Sequence, residues 1–84
     1  MSDTLPPPVW VNTQPLLQKL VEDLSTQTRV AVDTESNSLH AFREQVCLIQ
    51  FSSASTDYLV DPLALKDLSL LAPVFANPKI EKIL

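Results

Sequence analysis

No glycine occurs anywhere in the 84 residues. Average usage of about 7% would place about six in a chain of this length. Glycine is the residue that enters left-handed backbone conformations without steric cost. Without it, turns must be made by Asn, Asp, Ser and the seven prolines. The absence also excludes classes of chemistry. Neither a dinucleotide-binding fingerprint nor a phosphate-binding P-loop can be present, and there is no Gly-x-Ser-x-Gly nucleophile elbow.

The length suits one small domain or part of a larger one. A chain this short buries only about 60–65% of its unfolded surface, so its stability is marginal without a staple. A single cysteine, Cys47, rules out an internal disulfide. Its position in an apolar run reads as a small core residue, and a reduced, cytoplasmic setting fits. An apolar fraction of 45% belongs to a globular chain. No apolar run approaches the roughly 20 residues of a membrane span, and "MSDTLPPPVW" lacks the basic and apolar regions of a secretory signal. The net charge of −4 argues against gripping nucleic acid by a basic surface alone. It leaves open an enzyme that meets phosphate through bound cations.

Residues 1–8 read as a flexible, Pro-rich lead. "VWV" (Val9–Val11) predicts a short strand at a sheet edge. Asn12 or Thr13 can cap a helix that tolerates Pro15 in its first turn. Leu16, Leu17, Leu20, Val21 and Leu24 then recur at helical spacing over residues 14–25. "RVAVD" (Arg29–Asp33) and "QVCLIQFSS" (Gln45–Ser53) predict strands, the second apolar enough for burial on both faces. "YLVD" (Tyr58–Asp61) follows after a short turn, as in an antiparallel hairpin. A helix is expected from Leu68 to Ala76, with Pro73 in or near its first turns. "KIEKIL" (Lys79–Leu84) alternates as a strand does. The order is an α/β pattern: an antiparallel meander, then a crossover. A last strand with no helix to cover it reads as truncated.

The stretch "VAVDTESNSLH" (Val30–His40) carries a buried-strand pattern into two acids, Asp33 and Glu35, with no Lys or Arg before Arg43. Strand alternation puts both carboxylates on one face, their Cβ atoms about 7 Å apart. Two such carboxylates repel each other and resist desolvation, and a divalent cation compensates both costs. Oxygen-only ligands suit Mg²⁺ or Mn²⁺. Read alone, a D-x-E pair after a strand is a common feature, and most such pairs are solvated loop residues. His40 has no His or Cys partner at ligand spacing and reads as a surface loop residue. Asp57 and Asp61 read as turn residues. Arg43 either contacts phosphate or stays solvated.

"VAVDTESNSL", a loop holding Arg43, "VCLIQFSS", "YLVDPLAL" and "LLAPVFANPKIEKIL", in this order, resemble the first half of a ribonuclease D-like 3′–5′ exonuclease domain of the DEDD superfamily. The resemblance runs from Val9 to Leu84. It implies a ribonuclease H-like mixed sheet, truncated after the first crossover helix and the following strand. It implies that Asp33 and Glu35 are catalytic and bind two divalent cations, Mg²⁺ or Mn²⁺. It also implies that Leu39 packs against the terminal base, with Thr34 and Ser36 near the 3′ end. The implied partner is a nucleic acid 3′ end, RNA rather than DNA, with tRNA 3′ processing as the default. The family's other two acidic ligands and its general base have no counterpart in this chain. The 84 residues alone are therefore expected to be inactive, and a non-catalytic binding module is the alternative.

Overall fold

The computed structural model describes residues 6–37 and 45–84, apart from the side chains of residues 36, 37 and 45–47. Five strands form one sheet: β1 (Val9–Val11), β2 (Arg29–Asn37), β3 (Gln45–Ser52), β4 (Asp57–Val60) and β5 (Glu81–Ile83). Their spatial order is β1-β4-β3-β2-β5. The β2–β3 and β3–β4 pairs are antiparallel, while β1–β4 and β2–β5 are parallel. The expected meander is therefore the sheet's centre, and β1 lies at an edge as expected.

Helix α1 (Gln14–Leu24) begins where Thr13 Oγ1 accepts the Leu16 N–H at 3.4 Å, and Pro15 lies in its first turn. Its stripe delivers Leu17, Leu20 and Leu24 to the core with no exposure. Each fully buried leucine contributes about 1.5–3 kcal/mol. The predicted second helix is divided. A 3₁₀ turn (Ser69–Leu71) precedes a short α2 (Ala72–Ala76) with Pro73 at its start. Proline has no N–H to give to a preceding turn, so the α-helical pattern restarts there. Val74 and Leu71 enter the same core, and the Phe75 ring stands 6.0 Å from that of Phe51. Residues 78–80 form a turn, and Ile80 drops into the core, so β5 is shorter than "KIEKIL" suggests.

Every described turn is made without a positive φ. Ser53 Oγ accepts the Thr56 N–H at 3.2 Å between β3 and β4. Asp61 Oδ1 accepts from Leu63 and Ala64 (2.9 and 3.1 Å) after β4. Asp67 Oδ1 accepts from Ser69 (2.9 Å), and Asn77 Oδ1 accepts from Lys79 (2.9 Å). Side-chain oxygens thus fold the backbone where glycine would otherwise be needed. Asp61 serves a turn as expected. Asp57 is instead the first residue of β4, opposite Ser52, and Ser53 holds the turn.

Both helices pack on one face of the sheet, over Val11, Val30, Val32, Phe51, Tyr58 and Val60. The opposite face carries Trp10, Leu48, Gln50, Ser52, Leu59, Ala31, Asp33 and Ile83, each exposed or half-buried. Burial of the Gln45–Ser53 strand on both faces is therefore not what these residues show. Phe51 is buried, while Leu48 and Gln50, pointing the other way, are half-exposed.

Candidate active site

β2 runs past Asp33 to Asn37, four residues beyond the end expected from its apolar pattern. Asp33 pairs with Gln50 and Glu35 with Leu48 across the β2–β3 ladder, so both acids stand on strand backbone rather than in a loop. The register then shifts between Glu35 and Ser36: Leu48 faces Glu35 but Val46 faces Ser36, leaving Cys47 as the extra residue of a bulge. Bulges bend a strand and re-aim its side chains. This one adjoins Glu35. The expected role of Cys47 as a core side chain lies outside the described residues, as do Leu39, His40 and Arg43.

Asp33 and Glu35 share the open face with Ala31, and all three are exposed. Val30 and Val32, which alternate with them, fill the core. The main-chain N–H of Thr34 donates to Asp33 Oδ1 at 2.9 Å. One carboxylate oxygen is therefore oriented by the adjacent backbone. Thr34 itself points to the opposite face, in register with Ile49, so only its main chain borders the acids. The side chain of Ser36 lies outside the described residues. The open face is hollowed into a shallow depression of about 410 Å³, bordered by Asp33, Ala31, Gln50, Ser52, Ile83 and Leu84.

Among the described residues the one ion pair is Arg29 Nε–Glu81 Oε1 at 3.2 Å, so none of the described Lys or Arg side chains pairs with Asp33 or Glu35. The donor set is oxygen only and fits Mg²⁺ or Mn²⁺. It is also incomplete: among the described residues no three His, Cys, Asp or Glu side chains converge.

Gln50 was not singled out from the sequence as a site residue, although it is the lone amide in the apolar run "VCLIQF". That interruption was the available signal. The bulge left no trace in the residue pattern.

Residues 8–84 match the sequence profile of a family described as 3′–5′ exonuclease. The exosome complex exonuclease RRP6 of Saccharomyces cerevisiae is 42% identical over 77 residues, which cover 90% of this chain and 10% of that protein. The catalytic core of RRP6 from Trypanosoma brucei superposes with a TM-score of 0.88 at 35% identity, over 98% of this chain and 23% of that one. Escherichia coli RNase D, described as an exoribonuclease involved in structured RNA processing, superposes with a TM-score of 0.83 at 28% identity, over 92% of this chain and 20% of that one. The chain thus spans about a tenth of the curated relative and under a quarter of the solved structures. Among the described residues no helix is long and apolar enough to cross a membrane.

Proposed function

The chain belongs to the 3′–5′ exonuclease family, and from that membership we propose that residues 9–84 are the N-terminal portion of a domain that trims RNA from its 3′ end by phosphodiester hydrolysis. The observation that carries this reading is the placement of Asp33 and Glu35 on the exposed sheet face without a protein cation among the described residues. That pairing suits two divalent cations, Mg²⁺ or Mn²⁺. When bound, such cations generate hydroxide at neutral pH and stabilise charge on the phosphoryl and leaving oxygens.

This chain's own residues do the holding. Thr34 N–H donates to the Asp33 carboxylate at 2.9 Å and so orients it on the strand. Glu35 stands two residues along the same face. The main chain at Thr34 and Ser36 borders the 3′-terminal nucleotide, and Leu39 packs on its base. RNA is favoured over DNA because Escherichia coli RNase D, which superposes over 92% of this chain, is described as an exoribonuclease. tRNA 3′ ends are the proposed first substrate, and the cytoplasm the proposed compartment. Two carboxylates do not complete the site, so the 84 residues alone are proposed to be inactive.

The test uses the protein that carries this chain, a 5′-labelled tRNA precursor and Mg²⁺. The expected result is a ladder shortening from the 3′ end, reduced more than about 100-fold in Asp33→Ala, because a direct ligand outweighs an outer-shell partner. An unchanged ladder in that variant overturns the assignment. Turnover by the 84 residues alone, lost in Asp33→Ala, overturns the inactivity of the isolated chain.

A further inference from the structure

The depression beside Asp33 contains one long neutral polar side chain, Gln50. The ladder sets it directly across from Asp33 on β2 and beside Leu59 on β4. Directly opposed residues hold their Cβ atoms about 4.5–5.5 Å apart on one face. Gln50 is half-buried between its two neighbours and lines the same hollow as Asp33. Among the described residues no hydrogen bond joins the two side chains, and the bond recorded for the Asp33 carboxylate comes from Thr34. An amide and a carboxylate on directly opposed residues, not bonded to each other, can be joined by a bridging water. Leu48, opposite Glu35, is apolar and offers no equivalent, and Ser52 stands one pair further away, opposite Ala31.

We propose that Gln50 is an outer-sphere positioning residue for the cation that Asp33 and Glu35 would hold. Its carboxamide oxygen accepts a hydrogen bond from a water of the cation's hydration shell. The inference rests on the metal reading of the two acids. Mg²⁺ and similar hard cations keep several waters when protein-bound. Outer-shell partners of this kind are worth about 10–100-fold in metal affinity. The role also accounts for a lone amide at a strand position where an apolar side chain would serve the sheet equally well.

The experiment titrates Mn²⁺ into the protein that carries this chain and follows the free-ion signal by electron paramagnetic resonance. The unaltered protein is compared with Gln50→Met, Gln50→Ala, Gln50→Glu and Asp33→Asn, with circular dichroism as the folding control. Expected are a loss of about 10-fold in Mn²⁺ affinity for both Met and Ala, retained or tighter binding for Glu, and no binding for Asn. A residue that merely packed would give the opposite order: Met, matched in shape, would be neutral and Glu the worst. Unaltered affinity in both the Met and Ala variants, with binding still lost in Asp33→Asn, overturns the role of Gln50 and leaves the metal reading standing. No Mn²⁺ binding by the unaltered protein overturns both.

Discussion

Tyr58 and Asp33 are strand residues of opposite fate. Tyr58 lies on the covered face, and its hydroxyl donates to Asp23 Oδ2 at 2.5 Å, tying β4 to α1. Gln27 Nε2 donates to the other oxygen of the same carboxylate at 3.0 Å. Burial, then the hydrogen bond and the charge of Asp23, push the Tyr58 hydroxyl up to about 12 from an ordinary 10.0. Because the folded value is the higher one, the folded chain holds this proton more tightly. Its contribution is complete below about pH 10 and is lost as pH rises toward 12. Urea unfolding at pH 7 and pH 11 should show lower stability at the higher pH. Tyr58→Phe should cost about 1–2 kcal/mol at pH 7 and flatten the alkaline fall. An equally steep fall in the Phe variant would assign it to other groups. The Asp23 partnership could not be read from the sequence, since the residues are far apart in the chain and meet only when α1 docks. The acids at 33 and 35 were legible because strand alternation alone puts them on one face.

Strands and helices were legible where periodicity ran undisturbed, as in α1, and less so where a side chain far along the chain decides the boundary. β5 is the example. Lys82 faces the covered side in register with Val30, and its ammonium donates to the carbonyls of Val74 (3.1 Å) and Asn77 (2.7 Å). It thereby holds the end of α2 to the strand that follows it, while Arg29 and Glu81 pair on the surface at the strand's start. That exposed pair adds little, about 0–1 kcal/mol. Lys82→Met keeps the apolar stem and removes both bonds to carbonyls. It should lower stability by about 1.5–3 kcal/mol, the range for charged hydrogen bonds, and speed amide exchange in residues 81–83. Unchanged exchange there would mean that β5 is held by its pairing with β2 alone. At the other end of the chain, the long 3.4 Å cap bond predicts that Thr13→Ala costs toward the lower end of the usual 0.5–2 kcal/mol.

At the scale of the molecule, the sheet is covered on one side only among the described residues. The open side presents Trp10 at 48% exposure and Ile83 at 44%, together with Leu48, Leu59 and the two acids. Trp10 is the sole tryptophan of the chain, so it reports on this face without labelling. In the isolated 84 residues its emission should be red-shifted and readily quenched by acrylamide. Blue-shifted emission that resists quenching would mean that something covers the face in solution. Burial of the Gln45–Ser53 strand on both faces was inferred from apolar content, and apolar content says what a surface would tolerate against it, not whether anything is there.

The sequence by itself determined the element order, the glycine-free turns, the helix stripe and the common face of Asp33 and Glu35. Each follows from local chemistry: side-chain period, proline geometry, and the reach of an Asp or Ser oxygen to its own backbone. Only the tertiary structure decided that β2 extends to Asn37, that Cys47 forms a bulge beside Glu35, and that Gln50 stands across from Asp33. Those are facts of register. The pairing of two strands is set by the whole sheet and the core beneath it, and a slip of one residue would turn every side chain to the other face.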